Sequence, residues 1–156
     1  YRAYFLRVPD KGGLTYWVRV RRTGRTLIRI SNTFVASSEF TNRYGSLTNR
    51  QFVELVYQNV LGRPGDAGGI AFWTKQLDLH KQSRGQVMLG FSESNEYKRT
   101  QTAEVDAAVV WILVGGRQPT AAEYAVDLAA LDAGALAATV DRLLTSSAYA
   151  ARVAAL

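Results

Sequence analysis

The sequence predicts an all-α protein, built as a tandem array of three helical repeat units of about 50 residues with no sheet. Three observations lead there. Apolar residues recur at spacings of three and four along most of the chain, and the period-two alternation of a half-buried strand is nowhere sustained. Ser or Thr followed three residues on by Gln or Glu, the pattern of an N-terminal capping box, stands at Thr48–Gln51, Ser83–Gln86 and Thr120–Glu123. Finally, YQNVLGRPGDAGGIAFW, from Tyr57 to Trp73, is answered by YRAYFLRVPDKGGLTYW, from Tyr1 to Trp17, at a constant offset. A worn third copy begins at Trp111, where WILVGGRQPTAAEY keeps Arg117 and Pro119 but has Thr120 for Asp and Ala122 and Glu123 for the two glycines. The expected units are residues 1–46, 47–102 and 103–156, the first truncated at its N-terminus. Tyr1 falls where Tyr57 falls, in mid-motif, so the chain reads as a piece of a longer protein, with room for a signal peptide upstream.

In the first unit, a short helix from Tyr1 to Leu6 meets the corner Arg7-Val8-Pro9. Pro9 disfavours helix at Val8, and Asp10 is placed to cap the next helix, about 11 to 22, by accepting from backbone N–H groups. That helix should bury Leu14, Trp17 and Val18 and is stopped by Thr23-Gly24. A third helix from about Arg25 presents Leu27, Ile30 and Phe34 as a buried stripe, and Ser37-Ser38-Glu39-Phe40 closes the unit with a helical turn. In the second unit the helix after Thr48 carries Phe52, Leu55, Val56, Asn59 and Val60 on one side. Gly62 suits its end, because the left-handed conformation costs glycine little. Asp66 caps a helix burying Ile70, Trp73 and Leu77, and the helix after Ser83 buries Val87, Met88 and Phe91. Ser94-Asn95-Glu96-Tyr97 closes the unit. The third unit is rich in alanine: a helix over Val105–Val114 broken by Gly115-Gly116, one from Thr120 through Leu131, one over Gly134–Leu144, and a closing turn at Ser146-Ser147-Ala148-Tyr149.

Composition narrows the chemistry. The chain has 156 residues, 47% of them hydrophobic, so a sizeable core can form. It has no cysteine, which excludes disulfides, thiolate metal sites and cysteine nucleophiles. His80 is the one histidine, without a second to share a metal or to complete a triad, and it is expected at the surface after the helix ending near Leu79. No run of about 18 apolar residues exists, so no membrane span is expected. The net charge of +6 is unevenly spread: residues 1–50 hold 10 Lys and Arg against 2 Asp and Glu, whereas residues 101–156 hold 3 against 6. Such polarity suits an anionic partner for the first unit, or head-to-tail association of like molecules.

Candidate site residues follow from these patterns. Arg19, Arg21, Arg22, Arg25 and Arg29 lie within eleven residues with no acid between them, and arginine pairs well with carboxylate and phosphate. They are the expected binding surface for an anionic partner. Tyr16 and Phe72 neighbour Trp17 and Trp73; adjacent helical residues diverge by about 100 degrees, so the tryptophans are assigned to the core and Tyr16 and Phe72 to a contact surface. Arg7, Asp10, Arg63, Asp66 and Arg117 form the structural corner, the aspartates as N-caps and the arginines as donors to carbonyls left free at the preceding helix end. No paired carboxylates, nucleophile with base, metal cluster or cofactor motif emerges, so no catalytic, metal or cofactor residue is expected.

The sequence Tyr, Leu-Gly-Arg-Pro, Asp, Gly, aromatic-Trp, then Phe, Ser, Glu and Tyr resembles the bacterial "domain of unknown function 4214" family, itself similar in pattern to the linker domain of phycobilisome rods. The resemblance covers the first two copies and the third in outline. It implies a small helical module, often in tandem, in large secreted or surface-layer-type bacterial proteins. Departures are Val8 where the corner usually has proline, and the loss of Asp, both Gly and Trp from the third copy, which would then serve as an end cap.

The expected function is therefore not enzymatic. It is assembly of an extracellular or cell-surface structure by protein–protein contacts, with other subunits or with like chains. The alternative is anchoring to acidic envelope polysaccharide through the basic first unit, and a lesser one is an accessory domain of a secreted hydrolase. Nucleic acid is not an expected partner, since no reading helix or stacking motif is present and the acidic third unit interrupts any continuous basic groove.

Overall fold

A computed structural model describes residues 1–155, with Asp132 described by its backbone alone. Among the described residues there are eleven α-helices, one π-helical stretch and no strand. In order they are α1 (Arg2–Phe5), α2 (Lys11–Arg22), α3 (Leu27–Val35), α4 (Ser38–Tyr44), α5 (Asn49–Leu61), α6 (Ala67–Asp78), α7 (Arg84–Ser92), α8 (Asn95–Val110), the π-helical Trp111–Gly115, α9 (Ala121–Asp132), α10 (Leu136–Leu144) and α11 (Ser147–Ala154). The chain divides into two compact units. The first contains Tyr1–Arg7 and Trp17–Arg99, and the second contains Val8–Tyr16 and the residues from Thr100 onward.

The helices start where capping chemistry allows. Thr48 and Gln51, Ser83 and Gln86, and Thr120 and Glu123 form reciprocal capping boxes, and Thr26, Ser37, Asp66 and Ser146 accept from the backbone three residues on. Thr26 thus starts α3 at Leu27, two residues beyond the expected Arg25. Gly62 ends α5 at φ 66°, in the left-handed region glycine enters without a Cβ clash. Leu6 and His80 hold the same conformation, at φ 50° and 52°, as the left-handed residues after α1 and α6.

The first unit has one core, with buried residues from Ala3 to Tyr97. Phe34 of α3 is surrounded by Tyr1, Tyr4, Phe5 and Trp17, ring centroids 4.9 to 5.3 Å away. Phe91 of α7 likewise meets Tyr57 at 4.8 Å and Trp73 at 5.7 Å. Edge-on and tilted arrangements of this kind suit the ring quadrupoles. α3 and α7 cross in close contact at Gly85, where Ser31 Oγ donates to the Gly85 carbonyl at 2.7 Å and accepts a hydrogen bond from the Tyr4 hydroxyl. A buried hydroxyl left unpaired would be costly, and this chain satisfies both.

Packing changes several expected faces. Leu27 and Val18 are exposed, because Leu27 sits at the first position of α3, beyond the reach of the core that takes Ile30 and Phe34. α5 buries Val53 and Tyr57 as well as Phe52, Val56 and Val60, so its apolar face is broader than a single stripe, and Leu55 is half-buried. Trp17 and Trp73 pack on the core half-buried. α8 runs unbroken from Asn95 to Val110, so the expected closing turn at Ser94–Tyr97 and the helix at Val105 are one element, and the boundary expected at 102/103 lies inside it.

The second unit centres on Val110, Trp111 and Leu143, with Val114 and Val140 against them. Trp111 Nε1 donates to Asp127 Oδ2 at 2.6 Å, and Arg142 Nη2 donates to the other oxygen at 2.5 Å, so the buried Asp127 carboxylate is satisfied on both sides. The π-helical stretch begins at Trp111, and Gly115 allows its wider turn: a Cβ there would lie 2.8 Å from the indole ring.

Two glycines of α7 should respond oppositely to alanine. A Cβ at Gly85 would lie 2.6 Å from Asn32 N, so Gly85→Ala should destabilise by about 2–4 kcal/mol through forced separation of α3 and α7. A Cβ at Gly90 meets nothing within 4 Å, so Gly90→Ala should stabilise by about 0.5–1 kcal/mol through helix propensity. Urea melts of both variants check this; equal effects would refute the close crossing.

Candidate functional site

The corner is built around an aromatic ring six residues before an arginine. Arg7 lies over the Tyr1 ring at 5.0 Å, Arg63 over Tyr57 at 5.8 Å and Arg117 over Trp111 at 4.6 Å, cation–π distances in each case. Each guanidinium also grips a carboxylate with two N–H groups. Arg7 donates to Glu39 at 2.7 and 2.9 Å, Arg63 to Glu96 at 3.2 and 3.4 Å, and Arg117 to Glu123 at 2.9 and 2.7 Å. The three arginines thus have carboxylate partners beyond the helix-end carbonyls expected for them. Bidentate carboxylate pairing satisfies the guanidinium fork better. In the second unit it is Arg152 that donates to a helix-end carbonyl, that of Leu113.

Glycine makes room for the ring. A Cβ at Gly65 would stand 2.6 Å from the Tyr57 ring, and one at Gly69 would collide with its hydroxyl. Asp66 accepts from the Gly69 N–H at 2.8 Å, and this bond first of all holds its carboxyl below the usual range. Asp10 makes the same bond to Gly13 at 2.8 Å. The hydrogen bond from Arg7 likewise lowers the pKa of Glu39. Glu39 and Glu96 were not singled out from sequence, although both stand third in a closing turn that begins with Ser. The third closing turn has Ala148 at that place, and Arg117 is served by Glu123 instead.

The five expected binding arginines are all exposed, as is every residue from Arg21 to Arg29. Among the described residues, none of Arg19, Arg21, Arg22, Arg25 and Arg29 makes an ion pair. The six acids of the first unit are all engaged elsewhere: Glu39 with Arg7, Glu54 with Arg50, Glu93 with Lys98, Glu96 with Arg63, Asp66 as a cap and Asp78 with Asn49. The arginines thus form a tip, the end of α2, the turn and the start of α3, whose charge is uncompensated within its own unit. Next to them in the chain stand Val18, Leu27 and Ile28, exposed by 46%, 42% and 42%. Val18 lies three and four residues from Arg21 and Arg22, on the same side of α2.

Tyr16 and Phe72 are both exposed and fall in different units. Phe72 stands edge-on to Trp73 at 5.0 Å. Among the described residues no group of three His, Asp or Glu side chains is placed to hold a metal. An open groove of about 320 Å³ in the second unit is lined by Ala122, Glu123, Val126, Asp127 and Arg142, with its carboxylates already paired.

The corner ion pair of the second unit carries a pH signature. Hydrogen bonds, that from Arg117 largest, bring the Glu123 pKa from 4.5 to about 2. A depressed carboxyl pKa stabilises the fold above the unfolded value and loses that contribution as pH falls through the folded one. The thermal midpoint of the native chain should therefore exceed that of Glu123→Gln above about pH 5, and the gap should close by about pH 2. A gap independent of pH would remove the ion pair as its cause.

Neither a curated protein nor a solved structure matches the chain. Residues 31–101, which hold the Arg63–Glu96 pair, the Tyr57 ring and the glycines that make room for it, match the family model described as Domain of unknown function (DUF4214).

Proposed function

We propose that the chain is a non-catalytic interaction module that helps assemble an extracellular or cell-surface structure by protein–protein contacts, with the arginine tip of α2 and α3 as its contact surface. The observation that carries this reading is the tip itself: five exposed arginines whose unit has no acid to spare, next to exposed aliphatic side chains in the chain. Arginine is enriched in protein interfaces, where its planar fork pairs with carboxylates and its stem packs on apolar surface. The tip is also firmly mounted, since Phe34 anchors α3 beneath it in the aromatic cluster.

The three units of the sequence pattern are part of the same proposal. Each has an arginine over an aromatic ring six residues earlier, and the first two take their carboxylate from the closing turn. The third has exchanged that arrangement for a local one, as suits the end piece of an array.

A second reading, anchoring to acidic envelope polysaccharide, is favoured by the density of unpaired charge at the tip. The two are separated by measuring binding of labelled polyglutamate and of acidic polysaccharide to the chain, each across a salt series, with Arg21→Ala/Arg22→Ala/Arg25→Ala as comparison. Affinity for polyglutamate should fall about tenfold to hundredfold in the triple variant at low salt, with the thermal midpoint unchanged. Binding to polysaccharide alone would select the second reading. A triple variant that binds both as the native chain does would exclude the tip as the contact surface.

A further inference from the structure

We infer that the partner of the arginine tip is a second copy of this chain, engaged head to tail through an aliphatic stripe on that copy's second unit. The inference rests on the reading of the tip as a contact surface. The stripe is Val105, Val109 and Leu113, exposed by 46%, 37% and 63%. A spacing of four sets them one above another along α8 and into the π-helical stretch, on one face. Asp106 flanks it, three residues before Val109, and makes no ion pair among the described residues.

The two faces complement each other in apolar character and in charge. Each presents three exposed aliphatic side chains in a row or cluster, the tip with Val18, Leu27 and Ile28. The tip's unit holds 15 Lys and Arg against 6 Asp and Glu, and the stripe's unit holds 4 against 7. Opposite fields steer such faces together, and Asp106 beside the stripe offers the arginines a carboxylate that makes no ion pair among the described residues. Tip and stripe are different surfaces, so the contact is heterologous: every copy that uses its tip leaves its stripe free. Association of this kind continues into chains of molecules unless the rotation between neighbours closes a ring.

Two surface variants test it in the full chain. Arg21→Glu/Arg22→Glu/Arg25→Glu spoils the tip, and Val105→Lys/Leu113→Lys spoils the stripe; all five side chains are exposed, and circular dichroism and the thermal midpoint establish that both variants fold. In analytical ultracentrifugation at low salt, the native chain should form oligomers that grow with concentration and dissociate in high salt. Each variant alone should be monomeric. Their equimolar mixture should form a one-to-one dimer that grows no further, because it contains one intact tip facing one intact stripe. Arg21→Lys/Arg22→Lys/Arg25→Lys should keep at least part of the assembly. A stripe variant that assembles like the native chain, a mixture without heterodimer, or a native chain monomeric at every concentration would overturn the inference. In the last case, retained binding of polyglutamate to the tip would leave the contact-surface reading standing, and its absence would remove both.

Discussion

At Gly85 the backbone of α7 comes so close to α3 that no side chain fits between them, and this closeness joins the helices of the first unit into a single core. Ser31 can reach the Gly85 carbonyl because nothing stands in the way, and its bond to Tyr4 then ties α1 into the same junction. Phe34 and Phe91 project from the two crossing helices into separate aromatic clusters, so the crossing sets the position of both. The buried polar chain of Tyr4, Ser31 and Gly85 also gives the junction one register, since sliding α3 along α7 would strand two hydroxyls in an apolar interior.

The corner shows how one structural task can be met by different residue sets. Beside Arg63 a tyrosine ring occupies the corner, and Gly65 and Gly69 yield it the space. With Arg117 set against Arg63, Trp111 stands where Tyr57 does, Glu123 where Gly69 does and Asp127 where Trp73 does. Without a phenolic hydroxyl in that place a side chain is admitted, and Glu123 uses it to reach Arg117. The indole N–H gained at Trp111 needs an acceptor, and Asp127 supplies it. The three residues are therefore matched to one another.

Local chemistry was the legible part of this sequence. The three capping boxes, the Asp10 and Asp66 caps, and the left-handed end at Gly62 follow from residues within four positions of one another, and the helix starts they imply are found at Asn49, Arg84 and Ala121. What depends on distant neighbours was not legible in the same way. Arg7 and Arg63 choose partners 32 and 33 residues away, and only the matching places of Glu39 and Glu96 in their closing turns hinted at it. Val18 and Leu27 have the right spacing for a core face, but periodicity does not say where the neighbouring helix ends. The continuity of α8 was foreshadowed by the absence of Gly and Pro between Tyr97 and Val105. The tip of arginines was visible as composition, whereas its lack of counter-ions required knowing where every acid of the unit points.

That last feature determines which signals from the surroundings the tip can respond to. Arginine keeps its proton at any pH a protein survives, and the acids that could have titrated against it are committed elsewhere. What acts on the tip's field is therefore the ionic strength of the medium. Dissolved ions screen it directly, over about 30 Å in dilute medium and about 8 Å at physiological strength. A surface with this composition takes the range of its field from the ionic strength around it.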